Sequence, residues 1–381
     1  MGAVKNSDAI VIGGGIAGAS VAAFLADDGL SVTMLERESS LAYHTTGRSA
    51  ALFTPYYGPD AMRAFGGLSR NFLESPEFDS EVEILSERKT ISLVDKAHSM
   101  TIDRPPKSVW LDETEFLDRV PFLKPGRYVG GVLDTQVASI DVHALHSVYI
   151  QALKNFGGEV VTDAEVNKIT LAPSDIWEVE AGGQRYESAV VVNASGAWGD
   201  EIAKLAGISP IGLIPKRRTI VVVSSDQFDG VSFDDLPFVI VEPDYLYFQQ
   251  FGVGQLMISP IDQTPSVPCD AQPDEVDMAI TVARFEDVST LKVKRIDHSW
   301  AGLRTFSSDG DPVIGWEPVV PGFFWLVGQG GYGVFTSPAI GRYAASLISN
   351  SELPHAYKAH GFPFESLSPD RFRLNSLVGL S

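Results

Sequence analysis

Three glycines near the start of the chain have the spacing of a phosphate-binding turn. Gly13, Gly15 and Gly18 follow the pattern G-x-G-x-x-G. The first permits a tight turn, the second lets the backbone approach a pyrophosphate, and the third lets a helix lie close to a sheet. The N–H groups at the start of that helix bind phosphate without a cation. Glu36 follows at the spacing of a carboxylate that holds a ribose hydroxyl and disfavours a 2′-phosphate, which leaves NAD or FAD.

The elements around these glycines complete a nucleotide-binding unit. Residues 9–12 are a short apolar run typical of a buried parallel strand, residues 16–27 predict a helix, and residues 31–35 predict a second strand. The uncharged run 9–25 also has the length of a signal peptide or membrane span, but glycines crowd its middle. The sequence therefore favours a dinucleotide site and predicts no membrane span.

Composition limits the partners and the compartment. The 381 residues carry a net charge of −20, which repels nucleic acid and anionic lipid. A hydrophobic content of 44% is that of a soluble globular protein, long enough here for two domains. The single cysteine, Cys269, excludes an internal disulfide and fits a reducing compartment. We therefore expect a cytoplasmic protein that does not bind nucleic acid.

Two histidines are the candidate metal ligands. His143 and His146 are three residues apart on a helix that is predicted over residues 140–156 and begins at Asp141. No carboxylate or cysteine cluster completes a metal site around them. We interpret both as solvated helix positions and expect no metal.

Two further segments favour a flavin over a nicotinamide. Residues 43–53, YHTTGRSAALF, offer the hydroxyl groups of Thr45, Thr46 and Ser49 and the cation of Arg48 beside the expected pyrophosphate, although a capped surface helix is the alternative. Residues 328–333, GQGGYG, form a second glycine-rich turn before a helix predicted over residues 336–348. Backbone without side chains admits a planar ring, and a helix N-terminus stabilises negative charge on it.

Residues 8–53 resemble the flavoprotein family that contains D-amino-acid oxidase, glycine oxidase and sarcosine oxidase, and YHTTGRSAA is especially similar to D-arginine dehydrogenase. The resemblance recurs in VVVNASGAWGDEIAKL, LIPKRRTIVVV, WAGLRTFSSDGDPVIGW and GFFWLVGQGGYGVFTSPAIG. It implies non-covalently bound FAD. The cofactor contacts that it implies, together with the two glycine turns, are Gly13, Gly15, Ile16, Ala17, Gly18, Glu36, Arg37, Thr45, Thr46, Arg48, Ser49, Ala50, Ala51, Val166, Trp198, Gly330, Gly331, Tyr332, Gly333, Val334, Phe335 and Thr336.

The order of predicted elements indicates an α/β fold with an α+β second part. Nucleotide-domain pieces alternate with stretches such as residues 84–94 and 213–260, which alternate or run apolar without helical periodicity. We predict a Rossmann-like FAD-binding domain at residues 1–78, 140–206 and 305–381. It is interleaved with a mostly antiparallel substrate-binding domain at residues 79–139 and 207–304.

Basic and phenolic side chains in the second domain are the candidate substrate ligands. Arg217 and Arg218 are neighbours on one strand, so only one can face a site, and the resemblance selects Arg218. Tyr245 and Tyr247 are expected to share a face, and the resemblance favours Tyr247 as the active-site phenol. Arg304 is expected to end a strand over residues 299–303.

The resemblance implies how these side chains hold an α-amino acid. Arg304 and Arg218 would bind the carboxylate, with phenolic donors from Tyr57 and Tyr247. The carbonyl of Gly331 would accept a hydrogen bond from the amine, as in the related enzymes. These five residues are the predicted catalytic set.

Two positions depart from the D-arginine dehydrogenase pattern. Its active-site histidine is matched by Leu52, and the glutamate that reads a basic side chain is matched by Thr90. Glu87 is three residues from Thr90 on a presumed single strand and therefore faces the other side. We expect the side-chain pocket to be apolar and basic substrates to be disfavoured.

Three functions remain open at this point. The first is oxidative deamination of neutral or apolar D-amino acids to an imine, then to a 2-oxo acid and ammonia. The second is oxidation of N-methylated or secondary amino acids such as sarcosine, and the third is a non-catalytic flavin-binding subunit. The presence of Arg218, Tyr247 and Arg304 together argues against the third. The sequence does not identify the electron acceptor, which is oxygen, a quinone or an electron-transfer protein.

Overall fold

The computed structural model of the chain describes residues 4–78, 82–99, 104–241 and 245–373. The strands are β1 Lys5–Ile12, β2 Val32–Leu35, β3 Leu52–Phe53, β4 Leu85–Glu87, β5 Thr90–Val94, β6 Val109–Leu111, β7 Gly130–Asp134, β8 Ala138–Ile140, β9 Glu159–Val161, β10 Val166–Leu171, β11 Trp177–Ala181, β12 Gln184–Asn193, β13 Ile214–Ser224, β14 Phe238–Val241, β15 Leu246–Gln250, β16 Gln255–Ser259, β17 Thr264–Pro265, β18 His298–Phe306, β19 Val313–Trp316 and β20 Phe323–Val327. The helices are α1 Ile16–Asp27, α2 Asp60–Glu74, α3 Glu113–Arg119, α4 Val142–Asn155, α5 Gly199–Leu205, α6 Glu275–Val288, α7 Gly333–Ser349 and α8 His355–His360.

The first sheet has eight strands with a parallel centre. Its order is β10-β11-β12-β1-β2-β9, with β20 beside β12 and β19 beside β20. The pairs β12–β1, β1–β2, β2–β9 and β12–β20 are parallel. Ala9 and Val11 of β1 pack into the apolar core on one face, and Ile10 and Ile12 pack into the core on the other. Burial on both faces explains why this strand is a continuous apolar run.

The first nucleotide-binding unit has the predicted elements. The helix predicted over residues 16–27 is α1, and the predicted strands at residues 9–12 and 31–35 correspond to β1 and β2. The helix predicted at residues 140–156 is α4, and the side chain of Asp141 accepts a hydrogen bond from Ala144 N at 2.8 Å. Helix α7 begins at Gly333, three residues before its predicted start.

The second sheet has nine strands and is mostly antiparallel. Its order is β17-β13-β16-β15-β14-β5-β7-β6, with β18 also paired to β13, and β14–β5 is its parallel pair. Val221 and Val223 of β13 pack into a large apolar core on one face, while Ile220 and Val222 belong to a smaller apolar group on the other. This sheet confirms the predicted fold class, a parallel nucleotide-type sheet interleaved with a mostly antiparallel one.

A small third sheet, β3-β8-β4, joins the two predicted domains, because β3 belongs to the first, β4 belongs to the second and β8 crosses the predicted boundary after residue 139. The strands of the second sheet fall within residues 79–139 and 207–304, except for the last two residues of β18. The domain boundaries stay a proposal, and the predicted ranges include residues 1–3, 79–81, 100–103, 242–244 and 374–381, which lie outside the described residues. Within the described ranges, no helix has the length and apolar character needed to cross a membrane.

Candidate active site

A crevice of about 310 Å³ runs between the two large sheets. At one end lie the glycine turn after β1 and the residues that follow β2. At the other end lie side chains of β13, β15 and β18, and the loop before α7 forms one wall. Glycine-rich backbone at the carboxyl ends of parallel strands is the usual position of a nucleotide site in such sheets.

The glycine turn has no room for side chains. Gly13 has φ +113°, and a Cβ added there would lie 2.6 Å from Ala194 O. A Cβ on Gly18 would lie 1.9 Å from Gly13 O, because helix α1 packs tightly on the turn. Gly15 has extended backbone and lines the crevice. The turn therefore presents the N-terminus of α1 to the crevice, as anion binding requires.

Two side chains fix this turn from outside it. Glu36 is 8% exposed, and its carboxylate accepts from Gly14 N at 2.7 Å and from Glu38 N at 2.9 Å. Thr46 Oγ1 accepts from Ile16 N at 3.0 Å and so caps α1 from a distant segment. Glu36 also lines the crevice, where its carboxylate has lone pairs left for a ribose hydroxyl.

Aromatic and cationic side chains form one wall at the nucleotide end. The guanidinium of Arg37 lies 4.8 Å from the ring centre of Trp198, and the ring centres of Trp198 and His44 are 4.7 Å apart. His44 Nε2 is 2.9 Å from Glu38 Oε1. Arg37, His44 and Trp198 line the crevice, whereas Glu38 does not. The wall is therefore made of flat groups in contact with one another, and Glu38 connects two of them because it also pairs with Arg37 Nε at 3.1 Å.

The segment after β2 connects the crevice to the second sheet. Thr45 Oγ1 donates to Leu303 O at 2.7 Å, and Arg48 Nη1 donates to Ala271 O and Ala301 O, both at 2.9 Å. Arg48 also pairs with Asp270, and its own carbonyl accepts from Trp300 Nε1 at 3.2 Å. The guanidinium of Arg48 is thus directed at protein carbonyls, although the residue lines the crevice.

Two arginines face the crevice from neighbouring strands. Arg218 lies opposite Gly302, and Arg304 lies two pairs further along, opposite Lys216. Arg218 is 8% exposed, and its Nε donates to Asp262 O at 2.9 Å. Burial lowers the pKa of the Arg218 guanidinium, and the nearby charge of Arg304 lowers it further. Two cations that repel each other in a partly closed space favour an anionic ligand.

The surroundings of the two arginines differ. The carboxylate of Asp262 is 3.9 Å from Arg218 Nε and also accepts from Thr219 N at 2.7 Å. Burial raises the pKa of the Asp262 carboxyl, an effect opposed by the Thr219 hydrogen bonds and the Arg218 charge. Throughout the described residues, Arg304 has no hydrogen bond or ion pair to a protein acceptor. A Cβ on Gly331 would lie 2.9 Å from Arg304 Nη1, so the loop backbone packs on this guanidinium.

Arg217 and Arg218 face opposite sides of the second sheet, as strand alternation predicts. Arg217 points to α6, where its Nη2 is 2.7 Å from Asp277 Oδ2. Tyr247 is 7% exposed, lines the crevice and stacks on Phe238 with ring centres 5.1 Å apart. Tyr245 does not share its face, because it precedes β15, packs against the other core and donates to Asp287 Oδ2 at 3.1 Å. The expectation of a common face for the two tyrosines was wrong.

A family model described as FAD dependent oxidoreductase, DAO, matches residues 8–347. The chain belongs to this family. This FAD-dependent oxidoreductase is 22% identical over 396 residues to mitochondrial dimethylglycine dehydrogenase of Mus musculus, an alignment of 96% of this chain and 44% of that one. It is 22% identical over 370 residues to glycine oxidase of Bacillus subtilis (strain 168), covering 92% of this chain and 95% of the relative. The crystal structure of L-proline dehydrogenase from P. horikoshii superposes with a TM-score of 0.82 at 20% identity, covering 98% of this chain and 99% of that one.

The chain spans less than half the length of several curated relatives. It covers 44% of the mouse dimethylglycine dehydrogenase and 40% of FAD-dependent oxidoreductase domain-containing protein 1 from Xenopus laevis. The predicted family resemblance is confirmed, whereas the particular similarity to D-arginine dehydrogenase stays a prediction.

The crevice of this FAD-dependent oxidoreductase fits the cofactor. The N-terminus of α1 suits a pyrophosphate and Glu36 suits a ribose. Among the described residues, Thr305 Oγ1 and Gln329 Nε2 are buried without a hydrogen-bond partner, and both residues line the crevice. Buried polar atoms without a protein partner are the atoms that a bound ligand satisfies.

Most of the predicted cofactor residues line the crevice. They are Gly13, Gly15, Ile16, Ala17, Glu36, Arg37, Thr45, Thr46, Arg48, Ser49, Ala50, Val166, Trp198, Gly330, Gly331, Gly333 and Val334. The others do not line it: Gly18 under the turn, Ala51 just before β3, and Tyr332, Phe335 and Thr336 at the start of α7. Thr336 Oγ1 donates to Tyr332 O at 2.8 Å, and the ring of Phe335 packs in the core against Phe53.

The predicted substrate residues are spread over a larger area. Arg218, Tyr247, Arg304 and Gly331 line the crevice. Tyr57 is 57% exposed, and its ring centre lies 5.8 Å from that of Tyr332. It is close enough to Arg218 to raise the pKa of that guanidinium. Arg304 was predicted to end its strand, but it lies inside β18, because the pairing of β18 with β13 continues to Phe306.

Leu52 and Thr90 do not line the crevice. Leu52 packs at the margin of the apolar group that contains Tyr247 and Phe238. Thr90 is paired with Phe238 and lies on the same face, but its strand is four positions from β13, roughly 19 Å at the usual strand spacing. Its buried hydroxyl has no hydrogen-bond partner among the described residues.

Glu87 and Thr90 do not share a strand, contrary to the prediction. Glu87 ends β4 in the third sheet and Thr90 begins β5 in the second. The side chain of Glu87 is 82% exposed and lies 3.5 Å from Lys89 Nζ. Glu87 therefore points to solvent and cannot replace the missing pocket carboxylate.

Sequence reasoning missed several residues of the site. His44 was passed over within YHTTGRSAA although its ring forms part of the crevice wall, and Gln329 was treated as part of a glycine turn. His146 was interpreted as solvated, but it is 6% exposed. Its position among the buried residues of α4, with the same spacing as the apolar positions, was the available signal. The described residues contain no group of three or more His, Cys, Asp or Glu side chains arranged for a metal.

Proposed function

We propose that this FAD-dependent oxidoreductase oxidises the carbon–nitrogen bond of a small neutral α-amino acid, with the D-configuration as the first candidate. The observation that carries the proposal is the position of Arg218 and Arg304, two arginines turned into the second-sheet end of the FAD crevice. No carboxylate of the second sheet lines that end within the described chain. A substrate carboxylate would complete the charge balance.

The arginines would bind and orient the substrate. Each charge-assisted hydrogen bond to a carboxylate contributes about 1.5–3 kcal/mol net. Arg304, which has no protein acceptor in the described residues, can offer its whole planar fork, whereas Arg218 is already anchored by its Nε. We assign Arg304 the main carboxylate contact and Arg218 the second.

The remaining groups would hold the amine and the side chain. Tyr247, Ile220 and Ala50 form an apolar wall beside the arginines, with the phenol as a hydrogen-bond donor. We assign the Gly331 carbonyl to the amine and the Tyr57 phenol to the open side of the site, as the family resemblance implies. An apolar wall disfavours the ammonium form and lowers the pKa of the amine in the direction that catalysis needs.

The reaction follows from this placement. FAD supplies the redox chemistry by accepting a hydride. The Cα–H bond would break with its electron pair leaving as hydride, and the lone pair of the neutral amine would form the C=N bond of a protonated imine, which releases an N–H proton to water to give the imine. Water then hydrolyses the imine to a 2-oxo acid and ammonia. The protein residues bind and orient the substrate, and none of them needs to form a covalent bond.

A second candidate is an N-alkylated or secondary amino acid such as sarcosine. The observation that favours it is the alignment of 96% of the chain with a protein named dimethylglycine dehydrogenase. The same carboxylate clamp serves both substrate classes, because they differ at the nitrogen.

Steady-state assays with matched substrates test the proposal. The panel is D- and L-alanine, D- and L-proline, glycine and sarcosine, each with oxygen and with an artificial electron acceptor. We expect turnover of D-alanine above L-alanine and sarcosine, with ammonia and pyruvate as products. Faster turnover of sarcosine would select the second candidate, with glyoxylate and methylamine as products if Cα is oxidised and with formaldehyde and glycine if the N-methyl carbon is oxidised. The ratio of the oxygen rate to the acceptor rate would show which electron acceptor class the protein uses.

FAD should be bound without a covalent link. Cys269, the single cysteine, has its Sγ 3.7 Å from Ser266 Oγ and, like Trp198, packs against a small buried apolar group that includes Ala271 and Leu303. We propose that this thiol is incidental and that a reducing compartment, the cytoplasm, keeps it free. Acid precipitation of the yellow protein should therefore release about one FAD per chain. Flavin that stays with the denatured polypeptide would contradict this prediction, and a Cys269→Ser variant would then show whether the thiol is the attachment point.

A further inference from the structure

The middle residue of the glycine turn is held by three different elements. Gly14 N donates to Glu36 Oε2 at 2.7 Å at the end of β2. Gly14 O accepts from Ala42 N at 3.2 Å, in the polar segment of residues 42–49 after β2, and is 2.9 Å from His146 Nε2 on α4. Since a carbonyl only accepts hydrogen bonds, His146 Nε2 is the donor. The Gly14 peptide groups are thus fixed from the first sheet, the polar segment and a core helix.

His146 is built to make this contact. It is 6% exposed and lies among the buried residues Leu145 and Tyr149 of α4, which packs on α1. Burial lowers the pKa of the imidazole, and the hydrogen bond to Gly14 only partly offsets that effect. A neutral imidazole with its proton on Nε2 satisfies the contact without a buried charge.

The planarity of the peptide bond connects this contact to the crevice. The C=O of Gly14 and the N–H of Gly15 belong to one trans peptide and point in opposite directions. An imidazole that holds the carbonyl on the α4 side therefore directs the Gly15 N–H away from α4. In the described hydrogen bonds this N–H has no protein acceptor, and Gly15 lines the crevice. Glycines on either side make the peptide easy to rotate when it is not held.

We propose that His146 is a positioning residue for FAD, which holds the Gly14–Gly15 peptide so that the Gly15 N–H donates to the pyrophosphate. The proposal rests on the family's cofactor and on the hydrogen bonds of His146, and it does not depend on which amino acid is the substrate. Its failure is therefore distinguishable from a failure of the proposed function.

Binding of FAD and of ADP to the apoprotein, by titration calorimetry, tests the proposal. His146→Leu should raise the Kd of both ligands by about five- to tenfold, because both contain the pyrophosphate and one hydrogen bond is lost. His146→Gln places an amide N–H near the position of Nε2, so it should restore both Kd values to within about threefold of wild type. His143→Ala is the matched control: it removes an exposed imidazole from the same helix and should change neither Kd.

Thermal unfolding of each apoprotein separates positioning from support of the fold. A positioning role predicts rescue of FAD and ADP affinity by His146→Gln even where the midpoint of unfolding stays lower than in wild type. In His146→Asn the side-chain amide is too short to reach the Gly14 carbonyl, so this variant should raise the Kd of FAD and of ADP as His146→Leu does. It replaces His146→Leu in the comparison if the leucine variant fails to fold. Wild-type Kd values in folded His146→Leu or His146→Asn protein, or a loss confined to FAD with ADP unchanged, would overturn the proposal.

Discussion

Replacement of Arg304 by alanine should lower kcat/KM for the amino-acid substrate by about 10²-fold or more while FAD is largely retained. The guanidinium has no protein acceptor in the described chain, so its charge is available to a substrate carboxylate. Losing it removes both binding energy and the orientation of the Cα–H bond. Stopped-flow reduction of bound FAD by substrate measures this effect directly, and the flavin absorbance of the purified variant reports retention of FAD.

Arg217→Ala is the control for this prediction. Arg217 is on the neighbouring strand β13, but its ion pair is with Asp277 of α6, on the other face of the sheet. A partly exposed ion pair contributes about 1 kcal/mol or less to folding stability, so we expect kcat/KM within about twofold of wild type. Equal losses from Arg217→Ala and Arg218→Ala would show that the assignment of strand faces is wrong. Arg304→Lys should recover only part of the activity, because a point charge does not replace a bidentate contact.

Basic amino acids should be poor substrates. A lysine or arginine side chain would enter a space next to Arg218 and Arg304, and Asp262 is already occupied by Arg218 and Thr219. The crevice carboxylates Glu36, Glu165 and Glu201 belong to the first sheet or to elements beside it. An unpaired cation that loses its hydration costs several kcal/mol, so we expect kcat/KM for D-alanine or D-valine to exceed that for D-arginine by about 10²-fold or more. Wild-type preference for D-arginine would refute the apolar pocket.

Thr90→Glu tests how far the pocket extends. The structure puts Thr90 on the same face as Tyr247 but roughly 19 Å of sheet away from β13, so an added carboxylate can meet only a long substrate side chain. We expect the variant to improve the D-arginine to D-alanine ratio mainly through D-arginine, with kcat/KM for D-alanine nearly unchanged. Glu87→Gln, at an exposed position, should change neither. A folded, FAD-containing Thr90→Glu protein with an unchanged ratio would show that Thr90 does not face the ligand.

The features of the fold and site that the sequence predicted correctly depend on interactions between residues close together in the chain. The glycine turn, α1, the cap at Asp141 and the opposite faces of Arg217 and Arg218 follow from spacing and backbone geometry within a few residues. The error on Tyr245 arose because strand β15 begins one residue later, at Leu246, so alternation did not apply. The error on Arg304 arose because β18 continues as long as β13 gives it a partner.

The other differences depend on contacts between distant segments. His146 is buried because α4 packs on α1 and meets the Gly14 carbonyl, 132 residues away in sequence. Glu87 and Thr90 belong to different sheets, because the chain leaves the third sheet after Glu87 and enters the second sheet at Thr90. A period-two sequence pattern cannot show where one sheet ends and another begins. The resemblance to known flavoproteins supplied Tyr247 and Gly331, for which the residue pattern alone offered alternatives.

The polar segment that contains Thr45, Thr46 and Arg48 has an energetic consequence. Thr46 caps the helix that faces the pyrophosphate, while Thr45 and Arg48 bond to carbonyls of Leu303 and Ala301, next to Arg304. One segment therefore connects the cofactor end of the crevice to the strand that carries Arg304, so ligand binding at the two ends can be coupled through these hydrogen bonds. The coupling free energy is reciprocal: if FAD tightens the binding of a substrate analogue by some factor, the analogue lowers the Kd of FAD by the same factor.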